Sequence, residues 1–478
     1  MKKINDTLLV DEYELKMSQT YFDAGVKDTV VVFDLFFRRN PFKGGYTISG
    51  GLDNIIDYIL NFKFDTDDIE YLRNTNNYNE EFLEYLSNLK FTGDIYAIPD
   101  GTPVFPNEPV ITIKAKVIEA QLIETAILAH FNHASLVTTK AKRITTAAQG
   151  RTVMEFGARR ARGTSSAYEA SKYAIVGGCS GTSNVKTAKD LGINALGTMA
   201  HSIITFYNDE RKAFLNFAKS NPTNCLFLVD TYDTINSGVP NAIWVADNYL
   251  KKNNITFKGI RIDSGDLAYL SKQARKMLDD AGYKDAGICL SNGLDEFTIT
   301  SLINQGAEFT MLGVGDNIAA SLDRVDGVYK LSAIEENAKL IPRLKVSNDS
   351  VKTINPGFKK VYRFYDKNTN YALGDVIALA DEVIDKNKYL LINPIDEWKR
   401  KTIKNYYVRE LQEKIFENGK LVYEMPNVFD RAKYCTKEME TIYPEVKRLE
   451  NPHIYIVDLS EKLLKVKKEL IKEHKKID

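Results

Sequence analysis

Two charged side chains lie close together in the stretch GIRIDSGDL, residues 259–267. Arg261 and Asp263 are two positions apart in a segment whose apolar, β-branched residues predict a strand, so their side chains point to the same side. A guanidinium and a carboxylate that face one way suit a ligand with its own carboxylate and a ribose or metal ion. A structural ion pair is the alternative, and the residues alone leave both interpretations open.

His201, one of five histidines, follows the turn GTMA at residues 197–200. Neutral imidazole can act as a nucleophile toward a phosphoryl group near pH 7. The phosphate that it gains needs hydroxyl partners, and Thr198 and Ser202 supply them. The pattern indicates a transiently phosphorylated histidine, whereas a structural role is the interpretation for His130 and His133.

Further candidates for phosphate binding come directly after other predicted strands. The stretch EFGARRARG provides Arg159 and Arg160, whose guanidinium groups can meet phosphate oxygens, although a solvated surface is the alternative. The stretches SNGLDE and GVGDN end two more strands with glycines that let backbone approach a phosphate closely. These two stretches contribute Ser291, Asn292, Gly293, Gly313, Gly315 and Asp316.

The elements that position these residues recur between residue 150 and about 320. Short apolar runs, each followed by a polar cluster and a helical stretch, predict parallel strands with crossover helices. The predicted strands are TVMEFG, NALGTMA, CLFLVDTYDT, FKGIRIDSGD, AGICLSNGLD and FTMLGVGD. Ligands of such sheets bind at the carboxyl ends of the strands. An irregular (β/α) barrel is favoured over a doubly wound sheet because no GxGxxG follows the first strand.

The flanking segments have a different pattern. TVVVFDLFF (29–37) predicts a strand, DNIIDYILNF (53–62) predicts a helix, and the residues after 330 again predict short strands that return to the N-terminal region. We therefore expect an α/β protein: a mixed domain over residues 1–135, the barrel over residues 136–330, and a C-terminal segment over residues 331–478 that joins the first domain.

Composition excludes several classes of protein. Lysine plus arginine total 64 and aspartate plus glutamate total 64, so no overall charge attracts nucleic acid or an anionic membrane. The four cysteines form no CxxC pair, which argues against a zinc site or a disulfide framework. Without a signal peptide or a sufficiently long apolar segment, a cytoplasmic protein is expected.

Taken in their order, the motifs resemble the nicotinate phosphoribosyltransferase family over nearly the whole chain. The shared segments are DEYELKMSQTYF, FFRRNPF, EFGARRARG, GTMAHS, DTYDT, GIRIDSGDL, GVGDN and PRLKVSNDSVKTINPGFKK. The resemblance implies a homodimer that joins nicotinate to 5-phosphoribosyl 1-diphosphate. The products are nicotinate mononucleotide and diphosphate, with coupled hydrolysis of ATP and with Mg²⁺ as cofactor.

The resemblance also implies residue roles. His201 would be phosphorylated by ATP, Tyr13, Thr198 and Arg261 would hold nicotinate, and Asp263 would bind ribose hydroxyls or Mg²⁺. The residues implied for the phosphates of the diphosphate donor and ATP are Arg38, Arg39, Arg159, Arg160, Lys345 and Lys352. Many family members have Thr after GVG, whereas this chain has Asp316, so the backbone of Gly313 and Gly315 would contact the phosphate instead.

Other functions remain as alternatives. Nicotinamide is neutral and leaves Arg261 without a charge partner, whereas quinolinate needs more cations. A barrel lyase needs a lysine at the end of a strand, but Lys258 lies at the start of one. A non-catalytic nucleotide-sensing homologue would be expected to lack His201 or Arg261, and both are present.

Overall fold

The computed structural model describes residues 6–346 and 353–475, and the chain divides into two compact units. The terminal unit comprises the residues up to Leu136, Asp323–Asn427 and the residues from Tyr434 onward. The central unit comprises Val137–Leu322 and Val428–Lys433. None of the helices in the described ranges combines the length and the apolar character that crossing a membrane requires.

The first part of the chain alternates helices and short strands. In chain order the elements are α1 (Glu12–Asp23), β1 (Val30–Phe37), β2 (Thr47–Ile48), α2 (Leu52–Asn61), α3 (Thr66–Asn74), α4 (Glu80–Ser87), β3 (Asp94–Ala97), β4 (Pro103–Val104), β5 (Ile111–Lys116), α5 (Val117–Leu122) and α6 (Glu124–Ala147). The predicted strand at 29–37 and helix at 53–62 are thus confirmed as β1 and α2.

The middle of the chain repeats strand and helix. Its elements are β6 (Thr152–Glu155), α7 (Thr164–Val176), α8 (Val185–Asp190), α9 (His201–Tyr207), α10 (Glu210–Ser220), β7 (Leu226–Leu228), α11 (Val239–Val245), β8 (Gly259–Ile262), α12 (Leu267–Asp280), β9 (Gly287–Ser291), α13 (Glu296–Asn304), β10 (Met311–Val314) and α14 (Asp316–Ala319).

The last part of the chain is mostly β-strand and ends in a helix. Its elements are β11 (Gly327–Glu336), β12 (Lys339–Pro342), β13 (Lys359–Asp366), β14 (Ala372–Leu379), β15 (Lys388–Ile392), β16 (Arg400–Lys404), β17 (Tyr406–Glu410), β18 (Glu413–Glu417), β19 (Lys420–Leu421), α15 (Val428–Glu440), β20 (Val457–Leu459) and α16 (Glu461–Lys475).

The main sheet of the terminal unit has seven strands in the order β12-β11-β1-β5-β3-β18-β19. β1 pairs antiparallel with both β11 and β5, and nearly all of its residues are buried, as expected for a strand that is apolar on both faces. Early strands thus share one sheet with strands from residues 327–342 and 413–421. A second sheet, in the order β17-β13-β14-β20, packs against the first residues of α16 through Leu463 and Leu464.

The central unit contains a five-stranded parallel sheet in the order β6-β10-β9-β8-β7. Five of the six predicted parallel strands, with helical connections, are confirmed as β6, β7, β8, β9 and β10. Among the described residues, the strand pairings form an open series, so the fold is a mixed α/β fold with several sheets.

The predicted strand NALGTMA is wrong, because residues 194–200 are irregular. Their carbonyl groups accept hydrogen bonds from side chains instead of from a neighbouring strand. Asn224 Nδ2 donates to the Gly197 carbonyl at 2.7 Å, and Arg261 Nη1 donates to the Met199 carbonyl at 3.5 Å. The segment therefore ends as a loop that leads directly into α9.

Gly259, the first residue of β8, tests how tightly the parallel sheet is built. Its φ is +128°, and a Cβ atom there would lie 1.8 Å from the carbonyl oxygen of Gly287. Gly282 also has a positive φ, of +87°, but has open space around its Cα. We expect Gly259→Ala to lower the free energy of unfolding by about 3 kcal/mol and Gly282→Ala by about 1 kcal/mol. Urea denaturation measures both, and equal losses would contradict the close approach of β8 to β9.

Candidate active site

A cavity of about 150 Å³ lies at the carboxyl ends of strands in the central unit. The strands β6, β8, β9 and β10, with the loops after them, provide its lining. The lining residues are Phe156, Arg159, Arg160, Arg261, Asp263, Ser291, Asn292, Gly293, Gly313, Gly315 and Asp316. All of them except Phe156 were predicted as site residues, so the structure brings the predicted strand ends together in one place.

Arg261 and Asp263 form the polar centre of this cavity. Arg261 Nη2 donates to Asp263 Oδ1 at 2.8 Å, and Arg261 Nε donates to Ser291 Oγ at 2.8 Å. Ser291 Oγ in turn donates to Asp263 Oδ1 through a short hydrogen bond. The Arg261 side chain is only 14% exposed, so this triangle fixes its guanidinium in a largely dry setting.

Asp263 keeps its negative charge in this setting. Burial raises the pKa of Asp263, but the hydrogen bond from Ser291 and the positive charge of Arg261 outweigh it and hold the pKa below its ordinary value. Asp230 fixes the loop that carries Asp263, since its Oδ2 accepts from the Asp263 backbone N–H at 2.9 Å and from Ser264 Oγ at 2.6 Å.

His201 is the first residue of α9 and reaches the cavity through Asp263. Its Nε2 lies 3.7 Å from Asp263 Oδ2, and its Nδ1 shares a 3.0 Å hydrogen bond with Thr231 Oγ1. The side chain is 41% exposed, so a ligand can approach the ring. Thr198 is half-buried, and its Oγ1 donates to the Met199 carbonyl at 3.3 Å. Neither His201 nor Thr198 lines the cavity itself.

The loops around the cavity are held by close backbone packing. A Cβ atom on Gly157 would lie 2.5 Å from the Gly315 carbonyl oxygen, so the loops after β6 and β10 touch. Buried Glu155 accepts a 2.5 Å hydrogen bond from Thr182 Oγ1 and a short one from the Gly157 N–H. Asn317 Nδ2 donates to the Gly293 carbonyl at 3.1 Å, which ties the loop after β9 to the start of α14.

Three of the predicted residues in the terminal unit lie near a different pair of charges, Glu124 and Lys330. Tyr13 hydrogen-bonds to Glu124, and burial, followed by the charge of Glu124, raises the pKa of Tyr13. Burial also lowers the pKa of Lys330; Glu124 opposes that shift, whereas the positive charges of Lys345 and Arg38 add to it. Tyr13, Arg38 and Lys345 therefore share one neighbourhood.

The two other predicted phosphate ligands outside the central unit are Arg39 and Lys352. Arg39 already forms ion pairs, with Asp326 at 3.1 Å and with Asp323 at 3.6 Å, so neighbouring carboxylates offset its charge. Lys352 lies outside the described residues.

The carboxylates present fit a magnesium ion that arrives with phosphates better than a preformed metal cage. No group of three or more His, Cys, Asp or Glu side chains in the described ranges is arranged to hold a metal. Mg²⁺ commonly binds through one or two carboxylates together with substrate phosphates and water. Asp263 Oδ2 accepts no hydrogen bond within the described structure, and Asp316 borders the same cavity, so these two side chains are suitable ligands.

The sequence interpretation missed three residues that shape these groups. Phe156 lines the cavity, and its ring centroid lies 5.7 Å from the Arg261 guanidinium carbon. Thr231 holds the His201 ring, and Lys330 lies among the terminal-unit cations. Phe156 and Thr231 both lie near the carboxyl ends of predicted strands, TVMEFG and CLFLVDTYDT, so that position was the available signal.

Comparison with known proteins shows one family along the chain. The family model described as the nicotinate phosphoribosyltransferase family matches residues 152–374, and the models of its N-terminal and C-terminal domains match residues 8–132 and 358–467. A nicotinate phosphoribosyltransferase of Bacillus subtilis (strain 168) is 43% identical, with 95% of this chain and 93% of that protein covered. One of Caenorhabditis elegans is 33% identical, with 95% and 92% covered.

A solved structure is similar over the same length. The crystal structure of human nicotinic acid phosphoribosyltransferase matches with a TM-score of 0.84 and 26% identity, over 97% of this chain and all of that one. A nicotinate-nucleotide pyrophosphorylase from Pyrococcus furiosus, at 23% identity and a TM-score of 0.70, shows the fold alone.

Ser291 offers a test of the electrostatics at Asp263. Because the folded-state pKa of Asp263 is lowered, its carboxylate adds stability above the ordinary pKa of 3.8 and loses that contribution as the pH falls through the folded pKa. Ser291→Ala removes a donor, so we expect the pKa of Asp263 to rise and this acid-sensitive stability to shrink.

The measurement is a carbon-13 NMR titration of labelled aspartate, with the Asp263 signal assigned from Asp263→Asn. Ser264→Ala is the matched control, because Ser264 donates to Asp230 and not to Asp263. An unchanged pKa of Asp263 in Ser291→Ala would contradict the role of this hydrogen bond.

Proposed function

We propose that this chain, which belongs to the nicotinate phosphoribosyltransferase family, transfers the 5-phosphoribosyl group of 5-phosphoribosyl 1-diphosphate to nicotinate. The products are nicotinate mononucleotide, an NAD precursor, and diphosphate, and ATP is hydrolysed to ADP and phosphate in the same cycle. One observation carries the proposal: a fixed, largely dry guanidinium, Arg261, adjoins an ionised carboxylate and an accessible imidazole at the ends of parallel strands.

Nicotinate is planar, aromatic and anionic, and the cavity has a partner for each property. Arg261 supplies the cation for its carboxylate, since guanidinium binds carboxylate in a bidentate manner. The ring of Phe156, 5.7 Å from the Arg261 guanidinium carbon, provides an apolar face beside that cation. We assign Thr198 to the same carboxylate. Nicotinamide, which has a neutral amide in place of the carboxylate, would leave Arg261 with Asp263 as its only charge partner.

The sugar donor carries most of the negative charge in the reaction. As the bond from the anomeric carbon to the diphosphate oxygen breaks, positive charge develops on the ribose and negative charge on the leaving group, while the pyridine nitrogen forms the new bond. Arg159 and Arg160 can stabilise the departing charge by fixed electrostatics, and Asp263 faces the ribose. Mg²⁺, when bound, neutralises diphosphate charge, and Asp263 and Asp316 would hold it.

ATP acts through His201 in this proposal. The imidazole attacks the γ-phosphorus, the bond from that phosphorus to the bridging oxygen breaks, and ADP leaves. Water later cleaves the phosphohistidine. ATP raises turnover only if the phosphorylated form binds substrates or transition state differently from the unmodified one. The 3.7 Å distance from His201 Nε2 to Asp263 Oδ2 supports such coupling, because charge added at the ring acts directly on the substrate-facing carboxylate.

The remaining expectations form part of the same proposal. Tyr13 contacts the pyridine ring, and the phosphates of the donor or ATP are held by Arg38, Arg39, Lys345 and Lys352. The parallel sheet belongs to an irregular (β/α) barrel over residues 136–330. A mixed domain over residues 1–135 precedes the barrel, and a C-terminal segment over residues 331–478 follows it. The chain works as a cytoplasmic homodimer. The shared neighbourhood of Tyr13, Arg38 and Lys345 supports the roles of these three residues.

A turnover assay with nicotinate and with nicotinamide, each with and without ATP, tests the function. We expect turnover of nicotinate, stimulated by ATP, and at most trace turnover of nicotinamide. Arg261→Ala should raise KM for nicotinate by about 100-fold and KM for the phosphoribosyl donor by less, because only nicotinate loses a charge-assisted bidentate contact. Arg160→Ala is the control, with the larger effect expected on the donor. Equal effects of Arg261→Ala on both substrates would contradict the assignment.

His201→Ala tests the coupling to ATP. We expect slow transfer to persist while ATP no longer stimulates it, since the phosphate acceptor is gone. The ratio of ADP to nicotinate mononucleotide measures coupling. Labelled ATP should leave acid-labile, base-stable phosphate on the wild-type protein and none on His201→Ala. His453→Ala, which changes a histidine of the terminal unit, should behave as the wild-type protein does. Undiminished stimulation in His201→Ala would remove this histidine from the mechanism.

A further inference from the structure

A larger cavity, of about 330 Å³, is lined only by residues of the terminal unit. Its size is within the range of small-molecule sites in proteins. Part of its lining is apolar: Val457 and Leu459 alternate along β20, Ile377 lies on the neighbouring strand β14, and Ile471 lies on α16. None of the predicted site residues in the described ranges lines this cavity, so the proposed reaction assigns no role to its lining.

Another part of the lining is positively charged. Three lysines, Lys330, Lys359 and Lys467, line it together with a single aspartate, Asp34. Lys359 Nζ donates to Asp34 Oδ2 at 2.6 Å, and this buried pair is neutral as a whole. The excess positive charge near that pair therefore comes from Lys467, because the negative charge of Glu124 counters that of Lys330.

Lys467 occupies an unusual place on its helix. Leu463, Lys467 and Ile471 are four residues apart and lie on one face of α16, so the lysine interrupts an apolar stripe. Its Nζ donates to Asn355 Oδ1 at 2.8 Å, and in the described part of the chain no carboxylate forms an ion pair with it. Burial, with a smaller contribution from the charge of Lys359, lowers the pKa of Lys467 to about 8. The described structure thus gives this ammonium an amide oxygen as its partner and no carboxylate.

The chemistry of a suitable ligand follows from these two parts of the lining. An ammonium that pairs with no described carboxylate, beside a neutral ion pair, matches one negative charge better than two. The apolar residues Val457, Leu459 and Ile471 favour an apolar body on the same molecule. Asn107 and Thr353, also in the lining, add polar groups near the charge.

We propose that this cavity binds a small monocarboxylate with an apolar body about as long as that of octanoate, its carboxylate on Lys467 and its body along β20 and α16. Its lining includes none of the residues that we assign to nicotinate, which are Tyr13, Thr198 and Arg261.

Calorimetric titration of the full chain with three probes tests the proposal. Octanoate carries both features, 1-octanol lacks the charge, and acetate lacks the body, so we expect octanoate to bind at least tenfold more tightly than either. Lys467→Met should weaken octanoate at least tenfold without lowering the melting temperature, because it removes a buried, uncompensated charge. Lys468→Met is the matched control, since this neighbour is exposed and pairs with Glu397.

Two further variants test the cavity without changing Lys467. Ile471→Trp fills the cavity and should also weaken octanoate, which tests the site without removing a charge. Arg261→Ala should leave octanoate binding unchanged, whatever happens to nicotinate turnover. Absence of octanoate binding to the unmodified chain, equal binding by Lys467→Met and Lys468→Met, or loss of binding only in Arg261→Ala would each overturn the proposal.

Discussion

The central unit depends on one interaction, the contact of the Asp263 carboxylate with Arg261, Ser291 and His201. Asp263 Oδ1 accepts from Arg261 and Ser291, and Oδ2 lies 3.7 Å from the His201 ring. A half-buried carboxylate is costly unless it is paired and hydrogen-bonded, and this one is both. Groups from three separate parts of the chain are thereby held in place before a ligand arrives, which is the condition for fixed electrostatic stabilisation.

The same interaction decides between the two interpretations that the sequence left open. Arg261 and Asp263 do form an ion pair, so the structural interpretation is correct as far as it goes. The pair also borders a cavity and lies next to an accessible imidazole, which a purely structural pair does not require. Arg261 uses one N–H each of Nε, Nη1 and Nη2 within the protein, which leaves two of its five N–H groups for a ligand, so the two interpretations are compatible.

Most site residues of the central unit could be predicted from the sequence because the rule that groups them is local. Carboxyl ends of parallel strands meet at one edge, so Arg159, Ser291 and Gly313 could be grouped without knowing the order of the strands in the sheet. The irregular segment at 194–200 could not be foreseen, since its carbonyls bond to Asn224 and Arg261, which are distant in sequence. The ion pairs of Arg39 with Asp323 and Asp326 were hidden for the same reason. Pairing of β3 with β18 likewise joins residues more than 300 positions apart.

The position of His201 gives the proposed phosphorylation a physical consequence. A phosphoryl group carries about 1.5 to 2 negative charges near pH 7. On His201 it would stand within a few ångströms of Asp263, where two unit charges at 4 Å interact by about 4 kcal/mol in partly shielded surroundings. Cations must offset that repulsion, and Arg261, which already hydrogen-bonds to Asp263, is the cation beside it. Modification of the histidine would therefore compete for the arginine that we assign to the nicotinate carboxylate. A switch of this kind acts on substrate binding through charge alone and needs no movement of the strands.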